Sequence, residues 1–145
     1  RDDKNDYIVK RTLLNHLRAL DPSNLADQLR YAQLLLANEP NSEQGLALAT
    51  DIIQIRYDDP RYDNELHLQA LNILASNALT NQRYQQVIDY LQTPYDVFPT
   101  LRSGTLLLRA YQGLGDNAKV EALLADLQQR FSWGQHNISD GRQLY

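Results

Sequence analysis

Residues 107–116 read Leu-Leu-Arg-Ala-Tyr-Gln-Gly-Leu-Gly-Asp, and they predict the end of one helix and the turn into another. Leu107, Leu108 and Tyr111 recur at the three- and four-residue spacing that keeps apolar side chains on one face of a helix. Gly115 follows as the helix-breaking residue of the turn. This stretch therefore predicts the first half of a helical hairpin.

The second half of the hairpin follows directly, with an apolar stripe formed by Val120, Leu124 and Leu127. Two such short helices cannot bury their apolar faces alone, so the hairpin needs others stacked against it. The pattern does recur, because Leu48, Val87 and Val120 occupy equivalent positions at spacings of 39 and 33 residues. Those spacings are typical of helical repeats.

The apolar pattern along the rest of the chain predicts an all-α protein of about seven helices. Prolines and polar breaks set the helix boundaries, since proline cannot continue a helix. Pro94 and Pro99 are expected to bracket the connection between the fifth and sixth helices. Residues 132–145 are expected to be a loop or a short helix. The predicted helices are residues 5–20, 25–38, 43–57, 64–79, 84–92, 101–114 and 117–131.

The composition is that of a folded domain, with 145 residues of which 43% are hydrophobic and 22% charged. No apolar run is long enough to cross a bilayer, so direct membrane insertion is not expected. The net charge of −4 argues against nucleic-acid binding, which requires clustered Lys and Arg. The chain lacks Met and begins with Arg1, which predicts a piece processed or excised from a longer protein.

Catalytic motifs are missing from the sequence. The chain has no cysteine and no Gly-x-Ser-x-Gly elbow, and His16, His67 and His136 stand in no catalytic or zinc-binding spacing. We therefore expect no enzymatic activity, no catalytic residue, no metal and no cofactor.

A carboxylate cluster around residues 58–65 lacks the ligand spacing of a calcium loop. We expect its aspartates to pair with Arg56 and Arg61 and to cap the helix that follows.

These hairpins resemble the tetratricopeptide repeat family, whose repeat of about 34 residues is a helix pair. Leu107, Leu108 and Tyr111 match the signature of the family's first helix. The stripe that begins at Val120 matches the signature of its second helix. Gly104 and Val120 depart from the pattern, because the family usually has an aromatic residue and an alanine there. The resemblance implies a right-handed solenoid of antiparallel hairpins in a single domain, residues 1–145, with units at 21–57, 63–93 and 101–131. The helix at 5–20 then resembles the second helix of a preceding unit, or a lone capping helix.

In this family the first helices line a concave groove that accepts segments of partner proteins. On this chain, the side chains that line such a groove would carry mostly amide and hydroxyl groups, with two arginines at one end. Tyr57 and Tyr62 are further candidates, because tyrosine and arginine dominate binding hot spots, although packing between neighbouring hairpins is the favoured interpretation of both. The expected lining residues are Gln33, Leu36, Gln69, Asn72, Ser76, Arg102, Thr105, Arg109 and Gln112.

Three functional hypotheses remain from the sequence. The leading one is a noncatalytic scaffold that binds a protein or peptide partner in the groove. The alternative is an accessory domain of a bacterial envelope protein of polysaccharide export or glycan transfer, with a glycan as ligand and a periplasmic location. The third is a spacer in a longer array with no ligand of its own.

Overall fold

The computed structural model describes residues 3–131, and within that range it contains seven α-helices and no strand. The prediction of an all-α protein is therefore confirmed for this part of the chain, and the expectation for residues 132–145 lies outside it. The helices are α1 (Asp3–Leu20), α2 (Leu25–Asn38), α3 (Glu43–Ile53), α4 (Asn64–Thr80), α5 (Tyr84–Val97), α6 (Leu101–Leu114) and α7 (Asn117–Phe131).

Each helix packs against the next one along the chain, and α2 also packs against α4, and α4 against α6. The three even-numbered helices therefore stand side by side in one row. Short polar connections bring each outer helix back beside this row. This arrangement places one surface of α2, α4 and α6 together, and that surface carries the candidate site.

The starts of four helices are fixed by side-chain caps. Asn24 and Ser42 accept hydrogen bonds from the backbone N–H groups of Asp27 and Gly45, each at 3.0 Å. Asp63 caps α4 and Thr100 caps α6 in the same way, with donor–acceptor distances of 3.1 Å. These oxygens satisfy N–H groups that have no partner within the helix.

The core divides between the two halves of the row. The larger cluster joins the four helices α4, α5, α6 and α7. Its most deeply buried large side chains are Leu91, Leu107 and Leu127. The smaller clusters join α2, α3 and α4 around Ile52 and Leu74. Because α4 contributes apolar side chains to both halves, their burial connects the two halves of the row.

Two predicted helix ends were wrong. Helix α5 continues through Pro94 to Val97, because the backbone N–H of Phe98 bonds to the Pro94 carbonyl at 2.8 Å and the Tyr95 side chain is buried. Helix α3 ends at Ile53 rather than at residue 57. The chain instead turns twice, with N–H groups of Asp59 and Tyr62 donating to carbonyls three residues earlier.

The turn between α4 and α5 contains Gln82 with a φ of 60°, in the left-handed region. The next N–H, that of Arg83, bonds back to the Ala78 carbonyl at 2.8 Å, which is the hydrogen bond of a Schellman turn. A residue with a Cβ is strained there, so Gln82→Gly should raise the free energy of unfolding by about 0.5–1 kcal/mol in urea titrations. The reciprocal change Gly115→Ala, at a φ of 72°, should lower it by a similar amount. Loss of stability in Gln82→Gly would contradict the prediction.

Candidate functional site

A cavity of about 200 Å³ opens across the row of even-numbered helices. We call it the row groove. Every lining residue comes from α2, α4, the start of α6 or the turn after α2. The lining residues are Gln33, Leu36, Ala37, Pro40, Ile73, Ser76, Asn77, Thr80 and Arg102.

The row groove has an apolar floor and a polar rim. Leu36 and Ile73 are buried and belong to the core between α2 and α4. Gln33, Thr80 and Arg102 are exposed around them. A floor of this kind favours a small apolar group, and the rim supplies hydrogen-bonding partners that fix its orientation.

One wall of the groove is held by a buried asparagine. Asn77 is only 7% exposed, and its Nδ2 donates to the Pro40 carbonyl at 2.7 Å. Asn81 adds a longer bond to the same carbonyl, at 3.4 Å, and a second to the carbonyl of Asn77 at 2.9 Å. These bonds fix the turn between α2 and α3 against α4, so this side of the groove is preformed.

A second polar contact joins the other two helices of the row. The Ser103 hydroxyl, which is buried, donates to Asn72 Oδ1 at 3.1 Å. This bond uses the carbonyl oxygen of Asn72 and orients its amide, whose two N–H groups bond to no residue between 3 and 131. It also ties α6 to α4 at the residue that follows Arg102 in the chain.

Arg102 is the charged group of the lining. Five other arginines of the described chain pair with carboxylates, among them Arg30 with Asp27 at 3.0 Å. Arg102 has no ion pair and no side-chain hydrogen bond to any residue between 3 and 131, and the same is true of Arg109 on the same helix. The exposed face of α6 therefore presents uncompensated positive charge.

The structure brings four of the residues expected from the sequence into one cavity, namely Gln33, Leu36, Ser76 and Arg102. The others lie on α4 and α6 outside the lining. Three of these are already hydrogen-bonded within the chain: Gln69 donates to Glu65, Asn72 accepts from Ser103, and Thr105 donates to the Leu101 carbonyl. Arg109 and Gln112 are exposed further along α6.

Five lining residues were missed by the sequence analysis: Ala37, Pro40, Ile73, Asn77 and Thr80. The one-turn spacing from Gln33 to Ala37 and from Ser76 to Thr80 would have identified two of them. Pro40 had no such signal, because its place depends on the bond that it accepts from Asn77.

Tyr57 and Tyr62 do not line the row groove. Tyr57 is 79% exposed in the connection after α3. The hydroxyl of Tyr62 donates to Asn64 Oδ1 at 3.1 Å, and its ring centroid lies 5.6 Å from that of His67. The two tyrosines therefore occupy a different part of the surface from Arg102.

The carboxylate cluster near these tyrosines is paired, as expected. Arg61 contacts both oxygens of Asp59, at 3.2 and 3.0 Å, and its side-chain and backbone bonds lower the pKa of that exposed carboxyl. Arg56 donates to Asp58 at 3.2 Å. Between residues 3 and 131 no group of three histidine or acidic side chains is placed to hold a metal ion.

A separate polar network joins α5 to α7. The Tyr95 hydroxyl donates to Asp126 at 2.8 Å, and Arg130 donates to both oxygens of the same carboxylate, at 2.9 and 3.0 Å. Burial and the adjacent carboxylate raise the pKa of Tyr95 to about 12. The bond from Tyr95, followed by that from Arg130, lowers the pKa of Asp126.

These shifts predict a pH-dependent contribution to stability. The folded chain holds the Tyr95 proton more tightly than the unfolded chain, so the stabilisation is present below about pH 10 and is lost as the pH rises toward 12. The stabilisation from Asp126 is fully present above the ordinary pKa of an aspartate in the unfolded chain. It is lost as the pH falls through the lowered pKa of Asp126 in the folded chain. Tyr95→Phe should therefore cost about 1 kcal/mol near pH 7, with the difference from wild type shrinking at both extremes.

Urea unfolding at pH 3.5, 7, 9 and 11 would check this prediction. Tyr57→Phe is the matched control, because that side chain is 79% exposed and should unfold like wild type throughout. A Tyr95→Phe difference that stays constant across the pH range would show that the hydroxyl bond does not contribute in this way.

Comparison of the chain with protein-family models, with curated proteins and with solved structures finds no match. None of the helices between residues 3 and 131 combines the length and the apolar character needed to cross a membrane. Together, the fold and the site define an all-α protein with a preformed groove across three neighbouring helices.

Proposed function

We propose that this chain is a noncatalytic scaffold whose stacked hairpins hold a segment of a partner protein in the row groove. The observation that carries the proposal is the groove itself, which draws its lining from all three even-numbered helices. A surface shared by three elements is fixed by the packing of the whole array, and repeat proteins use such extended surfaces for binding.

We further propose that the hairpins form a right-handed, tetratricopeptide-like solenoid. Contacts from α2 to α4 and from α4 to α6 support this architecture, because first helices of successive repeats are then neighbours. The departure at Gly104 also has a structural explanation. A Cβ at this position would lie 2.9 Å from Tyr95 Cε1, so a ring from the preceding helix fills the space beside it.

The hydrogen-bonding groups of the groove favour a peptide over a rigid apolar ligand. Gln33 and Ser76 offer a side-chain amide and a hydroxyl beside the apolar floor, and Thr80, whose hydroxyl donates to the Ser76 carbonyl at 3.1 Å, can still accept a hydrogen bond. Such groups match the alternating N–H and C=O groups of a polypeptide main chain. A glycan is the less well supported ligand, because the row groove has no tyrosine in its lining on which a sugar ring could stack.

A photocrosslinking experiment tests the proposal. One variant would carry p-benzoylphenylalanine in place of Gln33 in the groove, and its matched control would carry it in place of Gln86, which is exposed on the outer helix α5. Both would be irradiated in extract of the source cells and analysed by mass spectrometry. We expect specific protein adducts from position 33 and none of the same adducts from position 86.

Further substitutions would locate the contact within the groove. Ser76→Trp should fill the cavity and abolish the adducts, whereas Arg83→Glu, a charge change at the turn before α5, should leave them intact. Equal labelling from both crosslinker positions would show that the partner does not bind specifically in the groove. Chemical conversion of the captured molecule by the isolated domain would overturn the noncatalytic part of the proposal.

A further inference from the structure

We infer that the segment bound in the row groove is extended and presents an acidic side chain to Arg102. This inference rests on the proposed function and specifies the chemistry of the partner. It follows from three features of the groove: its uncompensated charge, the polar side chains of its rim, and the spacing of its lining residues.

The charge argument begins with the lining. Arg102 contributes a guanidinium, and no lining residue contributes a carboxylate. Its side chain has no ion pair or hydrogen bond within residues 3–131, so all five of its N–H donors remain for a ligand. A planar guanidinium beside an apolar floor is suited to a carboxylate, which it can bind through two parallel hydrogen bonds.

The net charge of −4 does not oppose this pairing at short range. Physiological salt screens exposed charges beyond about 8 Å, so distant carboxylates act weakly on a group held in the groove. The exposed residues of α6 on the same face, Arg109 and Gln112, add one further positive charge and no negative one. The local field therefore favours an acidic segment.

The polar rim of the groove favours an extended segment over a helix. A helix uses its main-chain N–H and C=O groups within itself, so they are not free to bond to Gln33 and Ser76 on the rim. An extended segment leaves these main-chain groups free for the rim side chains.

The rim has a matching repeat. Gln33 and Ala37 on α2, and Ser76 and Thr80 on α4, are each separated by four residues, a rise of about 6 Å. The main chain of an extended peptide repeats every two residues, about 6.6 Å.

Defined peptide pools test the inference. Each pool contains acetylated, amidated octapeptides with the fourth position fixed as Glu, Gln or Lys and the others drawn from Ala, Ser, Thr, Val and Leu. Retention on the immobilised domain would be measured at low and at physiological salt. We expect the Glu pool to be retained about tenfold better than the Gln pool, with the advantage falling as salt rises.

Charge reversal separates a direct contact from a general effect. Arg102→Glu should reverse the preference, so that the Lys pool is retained better than the Glu pool. Arg83→Glu, with the same change of net charge outside the groove, should keep the preference of wild type. A Glu pool rich in α-aminoisobutyric acid, which enforces a helix, should be retained at least tenfold less than the flexible Glu pool.

The outcomes distinguish the two levels of proposal. Equal retention of the Glu and Gln pools, abolished by Ser76→Trp, would overturn the acidic partner and leave the groove as a peptide site. Better retention of the helical pool would overturn the extended conformation. Equal loss of the Glu preference in Arg102→Glu and in Arg83→Glu would overturn the direct ion pair. Retention of no pool, together with no adduct from position 33, would overturn both proposals.

Discussion

Leu107→Ala should lower the free energy of unfolding by about 3 kcal/mol. The Leu107 side chain is 0% exposed and lies in the cluster that joins α4, α5, α6 and α7. Truncation removes buried apolar surface and leaves a cavity, because side chains from four helices surround the site and cannot all move inward. Stabilities of small domains are typically only about 5–15 kcal/mol, so this loss is a large share of the total.

Urea unfolding followed by circular dichroism would measure the effect, with Leu114→Ala as the matched control. Both leucines are on α6, but Leu114 is 48% exposed near the end of the helix. Its truncation should cost no more than about 0.5 kcal/mol. Similar losses for the two variants would show that the cluster around Leu107 is not the main core of this half of the chain.

Helix boundaries were predictable wherever the local sequence alone determines them. The prediction for residues 101–114 matches α6 because Thr100 caps its start and Gly115, with a φ of 72°, ends it. The prediction for residues 117–131 matches α7 because its apolar stripe has helical spacing throughout. Each helix also has an N–H in its first turn bonded to a side chain just before the helix, Ser103 to Thr100 and Lys119 to Asp116.

Other boundaries depend on contacts between distant residues, and the sequence could not supply them. Proline normally ends a helix, yet α5 continues past Pro94 because Tyr95 is buried against α6 and bonded to Asp126 on α7. Helix α3 loses its predicted last turn although Ile55 is apolar, because that side chain is buried in a turn rather than on a helix face.

The candidate site was predictable in part. Positions carried over from the tetratricopeptide resemblance included Gln33, Ser76 and Arg102, which line the row groove together. Spacing alone gave no indication that Asn72 is bonded to Ser103, or that Asn77 holds the α2–α3 turn. These polar contacts cross between helices, and they determine which of the predicted residues remain available to a ligand.

Gly104→Leu should also destabilise the fold by about 3 kcal/mol, because no space exists for a side chain at this position. A Cβ built on Gly104 would lie 2.5 Å from Leu127 Cδ2 and 2.9 Å from Tyr95 Cε1. Both neighbours are almost fully buried, so neither can turn toward solvent. Overpacking of this kind forces side chains off their preferred rotamers and shifts the backbone.

Gly104→Ala is the more discriminating substitution because two opposite effects compete. Alanine gains about 1 kcal/mol over glycine in a helix interior, whereas the crowding at this site should cost about 2 kcal/mol. We therefore expect a net loss of about 1 kcal/mol in urea unfolding. Gly113→Ala is the comparison on the same helix: a Cβ there would lie 2.4 Å from Cε1 and Cζ of Tyr84, and only this partly buried ring would have to turn aside. That variant should unfold close to wild type.

A double variant identifies the neighbour responsible for the crowding. Leu127→Ala removes the methyl group nearest to the new Cβ, at the cost of a cavity of its own. In that background the step from Gly104 to alanine should come close to neutral, because the Leu127 contact is gone while Tyr95 Cε1 still lies 2.9 Å from the new Cβ and offsets the gain in helix propensity. If the step instead costs as much as it does in wild type, the crowding comes from Tyr95 or from the backbone, and Leu127 does not limit how closely α6 and α7 approach.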